Sequence, residues 1–154
     1  MSVYTALVSW SRAPGERFVD RRYSRRHEWS FDGGFVAPAS ASPQIVATPY
    51  ADPAAIDPEE ALVAALSSCH MLFFLDYAAR SGFAIASYRD QAVGTTGKRG
   101  DGRDWIAEVT LRPNIVFDGE RRPSPEEVAA LHDRAHQSCF IANSFRGEVK
   151  IEAG

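Results

Sequence analysis

"PEEALVAALSSCHMLFFL", residues 58–75, decides how the rest of the chain is read. Its Ala, Leu, Val, Met and Phe side chains fall at every angle around a 3.6-residue period, which predicts a helix apolar on all faces. Asp57 in front of it is a good N-cap, Pro58 suits the first helical position, and Glu60 closes an Asp-x-x-Glu form of the capping box. Gly82 supplies the C-terminal stop, so the helix is expected to run for about 23 residues, roughly 35 Å. A helix of this kind belongs at the centre of a structure, yet Ser67, Ser68, Cys69 and His70 sit in its middle. Polar and nucleophilic groups in a buried helix are where chemistry is sought first.

Upstream, "YTALVSW" and "YSRRHEWSF" read as strands, with the Asp32–Gly34 turn after the second and a third strand expected in "SPQIVATPY". Downstream, "FAIASYRDQAVGTTG" and "RDWIAEVTLRPNIVF" read as two long strands joined by "KRGDG". Trp105, Ala107, Val109 and Leu111 alternate to form one inward face. "SPEEVAALHDRAHQSCF" starts a second helix, with Ser124 as N-cap, Pro125 next and Glu127 completing a capping box. Val128, Leu131, Ala135 and Cys139 share one face of it, which points Cys139 at the core. "GEVKIE" is a last strand. Strands and helices do not alternate strictly, so the class is α+β rather than a doubly wound sheet.

The chain has 154 residues, 45% of them apolar and 24% charged, with a net charge of −3. That length fits one domain, residues 1–154, able to bury a core without disulfide or metal staples. The slight acidic balance argues against a nucleic-acid partner. "MSVYTALVSWSR" lacks the basic start and apolar run of a secretion signal. The longest apolar stretch, residues 61–75, falls short of the ~20 residues of a membrane span. A cytoplasmic protein with no membrane partner is therefore expected.

Cys69 and Cys139 are the only cysteines. In a reducing compartment a purely structural disulfide is unusual, so they are either buried free thiols or a reactive pair. A thiol reacts as thiolate, and burial opposes its ionisation, so a reactive Cys69 needs a cation beside it. His70 follows it directly but points about 100° away. The arginines at 12, 17, 21, 22, 25 and 26 are better candidates, because a guanidinium stays charged. A carboxylate would fix its plane, and Glu59 is available. Ten residues of straight helix put Glu59 about 15 Å from Cys69, so either the helix breaks near its start or the carboxylate comes from a second chain. His132, His136 and Cys139 lie along one helix face and, with Cys69 or His70, offer an alternative zinc site, though no Cys-x-x-Cys or His-Glu-x-x-His accompanies them. P-loop, GxGxxG and G-x-S-x-G motifs are missing.

"DPEEALVAALSSCH", together with a second helix carrying one further cysteine in "LHDRAHQSCFIANS", resembles the OsmC/Ohr family of thiol peroxidases over nearly the whole chain. The resemblance implies an α+β fold of antiparallel sheets wrapped around a long buried central helix, in an intertwined homodimer. It implies that Cys69 is the peroxidatic thiol, Cys139 the resolving thiol and Glu59 the helix-start carboxylate. The activating arginine maps to Arg25, with Arg26 and Arg12 as alternatives. The activity implied is reduction of organic hydroperoxides at the expense of a dithiol, of lipoyl type, with no cofactor or metal. His70 departs from the family, which has an apolar residue there, and Phe140 stands where a proline is frequent. Two other readings stay open: a non-enzymatic stress or small-ligand-binding protein of the same fold, and a Cys/His metal-binding protein.

Overall fold

The computed structural model describes residues 1–153. The elements run β1 (Ala6–Ser9), β2 (His27–Phe31), β3 (Val36–Ala39), α1 (Pro58–Arg80), β4 (Ile85–Asp90), β5 (Val93–Lys98), β6 (Asp104–Leu111), β7 (Pro113–Phe117), α2 (Pro125–Ser138), α3 (Phe140–Ser144) and β8 (Glu148–Ile151). The chain divides into two compact units, Met1–Ala61 and Leu62 onward.

In the first unit β1, β2 and β3 form an antiparallel meander in that order, with Val8 opposite Trp29 and Trp29 opposite Ala37. Gly34, at φ 83°, donates its N–H to Phe31 O at 3.0 Å and closes the turn into β3. The third strand is therefore residues 36–39 and not the expected "SPQIVATPY". There, Ser42 gathers the backbone into turns: its carbonyl accepts from Ile45 and Val46, and its Oγ accepts from Gln44 N–H at 3.3 Å. Such local bonds compete with strand pairing. Pro38 is tolerated in β3 because that strand is an edge.

α1 begins and ends as its sequence dictates. Glu60 N–H donates to Asp57 Oδ1 at 2.8 Å, and Asp57 N–H donates back to Glu60 Oε2 at 3.4 Å. At the far end Gly82, at φ 79°, donates to Ala79 O while Phe83 N–H reaches Ala78 O. That is the paired bonding of a glycine-terminated helix. The helix is unbroken from Pro58 to Arg80. It is not buried all round: only Leu66, His70, Phe74 and Ala78 are, one stripe at four-residue spacing, and Leu72 on another face is 60% exposed. At 23 residues it is also long and apolar enough to cross a membrane by length and composition, which corrects the expectation from residues 61–75. Its buried stripe is instead the centre of the second unit's core.

That core has two parts. Phe74 and Ala78 pack with Phe83, Leu131 and Ala135, and Leu66 packs with Val109 and Leu111. The two long strands predicted downstream are four. β4 pairs with β7 and β5 with β6, both antiparallel, in separate sheets. Both runs bend at one level, where Arg112 N–H donates to Asp90 Oδ1 at 2.6 Å and Pro113 lacks a donor to continue the ladder. The sheets are not wholly antiparallel, because β8 joins β6 in parallel, Val149 opposite Val109. A parallel partner needs a long crossover, and α2 and α3 supply it.

Candidate thiol and imidazole site

Cys69 lies half-buried at the start of the fourth turn of α1, and Cys139 lies fully buried at the joint of α2 and α3. The Ser124–Glu127 capping box starts α2 as expected, and the helix stops at Ser138. Cys139 takes extended backbone angles, φ −67° and ψ 111°, ending α2 and capping α3, a helix the sequence reading did not anticipate. Its Sγ accepts from Ala142 N–H at 3.3 Å and sits 4.0 Å from Leu66 O.

The two cysteines, 70 residues apart in the chain, come close enough in space for the Cys69 side chain to act on the Cys139 thiol. Burial pushes the pKa of Cys139 up to about 11, and the Cys69 thiol adds to this, while the N–H groups of Ala142 and Ile141 act against it. At neutral pH Cys139 is a protonated, poorly nucleophilic thiol. Both cysteines are free.

One turn along the same stripe, His70 meets His132 from α2. His70 Nε2 and His132 Nδ1 are 3.0 Å apart, and the rings are parallel within 10°. Phe74 packs against the His132 ring at 4.4 Å. Burial, then the neighbouring His132 and His136, lower the pKa of His70 to about 4. Burial likewise lowers that of His132, against the pull of Asp133 and Asp90. The pair is neutral at pH 7, with one proton between the facing nitrogens.

The zinc alternative loses its geometry here. Among the described residues no group of three or more His, Cys, Asp or Glu side chains converges as a metal site. His70 and His132 point their facing nitrogens at each other rather than at a common centre.

In the first unit Arg25 is held in place by its own loop. Its backbone N–H donates to Tyr50 O at 2.8 Å, and its Nη1 donates to Arg21 O and Tyr23 O at 2.7 and 2.5 Å. The guanidinium lies over the Tyr23 ring, 3.7 Å from its centroid. No carboxylate pairs with it among the described residues, Glu59 included, whereas Arg26 pairs with Asp52 at 3.0 Å. Arg25 lines a cavity of about 450 Å³ with Trp10, Phe18, Tyr23 and His27. Trp10, Phe18 and Tyr23 pack against one another in tilted and edge-on pairs with centroids 4.6–5.8 Å apart. Sequence reasoning noticed the arginines and missed this aromatic cluster. Its signal was the interleaving of Trp10, Phe18 and Tyr23 with arginines. His132 and His70 were brought together in sequence only as alternative zinc ligands, and their direct hydrogen bond to each other was missed.

A family profile described as "OsmC-like protein" matches residues 51–154. The chain belongs to the OsmC-like protein family. It is similar to an OsmC-like protein of unknown function from Vibrio cholerae, at 48% identity over 100% of both chains with a TM-score of 0.98. The fold is shared with an organic hydroperoxide resistance protein from Legionella pneumophila at 17% identity, 99% and 97% coverage and TM-score 0.67. It is shared also with the organic hydroperoxide resistance protein OhrB of Bacillus subtilis at 21% identity, 99% and 100% coverage and TM-score 0.64. No curated protein sequence matches the chain.

Proposed function

We propose that this protein is a cysteine-based peroxidase that reduces organic hydroperoxides in the cytoplasm. The observation that carries the reading is the meeting of Cys69 and Cys139 across 70 residues of sequence. Cys69, the more accessible sulfur, attacks the peroxide as thiolate, releases an alcohol and becomes a sulfenic acid. Cys139 condenses with it to a disulfide and water, and a dithiol of lipoyl type restores both thiols. Apolar side chains flanking Cys69 in α1, Met71, Leu72 and Phe73, favour an organic over an inorganic peroxide.

The active form in this reading is a homodimer. α1 is apolar on all sides but buries one stripe within its own chain, and an uncovered apolar face seeks a partner. With an unbroken α1, Glu59 and Cys69 of one chain stay about 15 Å apart along the axis. A site using both draws Arg25 and Glu59 from one chain and the thiols from the other. Arg25 then supplies the positive charge that holds Cys69 as thiolate, and Glu59 orients it.

The aromatic cleft at Arg25 supports a second reading, a non-enzymatic protein that holds a small apolar ligand. One assay separates the two: consumption of cumene hydroperoxide with dithiothreitol as reductant. Peroxidase turnover that Cys69→Ser removes and Cys139→Ser reduces to a single stoichiometric oxidation supports the enzyme. Absence of turnover, with cumene derivatives binding unchanged, supports the ligand-binding protein.

A further inference from the structure

If Cys69 and Cys139 cycle between thiols and disulfide, one proton must cross a dry region twice in each cycle. In condensation Cys139 gives up its proton and attacks Cys69–SOH as thiolate, forming the S–S bond and breaking the S–O bond, and the hydroxide that leaves half-exposed Cys69 takes a proton from solvent and departs as water. Reduction by a dithiol delivers two electrons, the reductant becomes a disulfide, and Cys139 departs as a thiolate that takes up a proton. Its sulfur is fully buried, so bulk water does not reach it.

We propose that the buried His70–His132 pair carries this proton between Cys139 and the protein surface. The proposal rests on the thiol–disulfide reading above. Two imidazoles joined Nε2 to Nδ1 form a conductor with two neutral states. In one, His70 Nε2–H donates to His132 Nδ1, so His70 Nδ1 is bare and His132 Nε2 carries hydrogen. A proton reaching His70 Nδ1 moves the bridging proton across and expels one from His132 Nε2. The bond is then reversed, one proton has crossed, and both rings are neutral again.

The atoms at the ends of this path are those a purely structural pair would have tied down. His70 Nδ1 and His132 Nε2 are buried and have no hydrogen-bond partner within the chain. Buried ring nitrogens rarely stay unpaired without a reason. On the thiol side, His70 is one helical turn from Leu66, whose carbonyl is 4.0 Å from Cys139 Sγ. His136, three residues before Cys139, acts electrostatically on His70 and also has a buried, unpartnered Nδ1. On the outer side, Tyr88 from β4 holds a fourth unpartnered buried polar atom, its hydroxyl, against Phe74. Asp90, half-buried at the end of β4, acts on both Tyr88 and His132, and exposed Asp133 flanks His132 on α2. These are the titratable groups facing the pair from α1, α2 and β4.

Two conservative variants test the relay. His70→Gln keeps a polar group near the Nε2 position, and His132→Asn keeps one near Nδ1, but an amide does not pass a proton through itself. The rate of Cys69–Cys139 disulfide formation after one equivalent of cumene hydroperoxide is followed from pH 6 to 8 by quenched mass spectrometry. Thermal unfolding checks the fold of each variant. The wild type is expected to form the disulfide at a rate that changes little with pH. Each variant is expected to oxidise Cys69 at the wild-type rate but to resolve at least about tenfold more slowly at pH 7, accumulating sulfenic acid. Its resolution should rise about tenfold per pH unit, as hydroxide becomes the only base. Folded variants with the wild-type rate and profile overturn the relay. So does a wild-type rate that itself rises tenfold per unit, a readout that needs no variant. Failure of the underlying peroxidase reading appears differently, as a wild type that forms no disulfide at any pH, and it takes the relay with it.

Discussion

The first unit carries six arginines between residues 12 and 26 and no cysteine, while the second carries both cysteines and keeps every one of its arginines exposed. The two also treat polar groups differently. In the first, loop carbonyls and rings hold Arg25, and an exposed ion pair holds Arg26. In the second, a thiol and two imidazoles are buried with no cation among the groups that act on them, and burial above all drives each toward its neutral form. A dry core can store a thiol and keep it protonated, but it cannot by itself make a nucleophile. In the proposed peroxidase that positive charge is assigned to an arginine of the first unit, Arg25.

Variants can break this contrast. The largest effect is expected from Phe74→Ala, which empties the centre of the second unit's core beside His132 and Tyr88. A loss of about 3–5 kcal/mol in urea unfolding is expected. Arg25→Ala should slow oxidation of Cys69 by about 10²–10³-fold with little change in stability, as expected for removal of a group that stabilises developing charge. Arg134→Ala, in the second unit, should leave that rate unchanged. Equal losses from the two would abolish the division of labour.

Acid sharpens the comparison next. His70 has its folded pKa lowered from 6.5 to about 4, so the unfolded chain binds more protons between those values. Its stabilising effect is fully present above pH 6.5 and is lost as the pH falls toward 4, a change of up to about 3 kcal/mol. Unfolding midpoints measured at pH 7, 5.5 and 4.5 should fall for the wild type and flatten in His70→Gln. The smallest effect belongs to the first unit. Arg26→Ala removes an exposed ion pair with Asp52 and should cost under about 1 kcal/mol.

Much of this was legible in the sequence where the cause is local. Asp57, Glu60 and Gly82 set the ends of α1, and Ser124 with Glu127 set the start of α2, because caps act within one turn. Cys139 is buried as its spacing suggested, although it stands one residue past the end of α2. What escaped depends on partners distant in sequence. Periodicity reports that α1 is apolar all round and not which stripe its own chain covers. The corner at Asp90 and Arg112 divides two apparent strands into four, and neither run carries a strong breaker where it bends apart from Pro113. The His70–His132 pair joins residues 62 positions apart, and nothing near either histidine announces the other.

The most direct measurement is the intact mass of the protein after treatment with one equivalent of cumene hydroperoxide, followed by peptide mapping. The account predicts a loss of two hydrogens, about 2 Da, with Cys69 joined to Cys139 in one crosslinked peptide. A protein that keeps both thiols, or gains oxygen only at methionine, contradicts it.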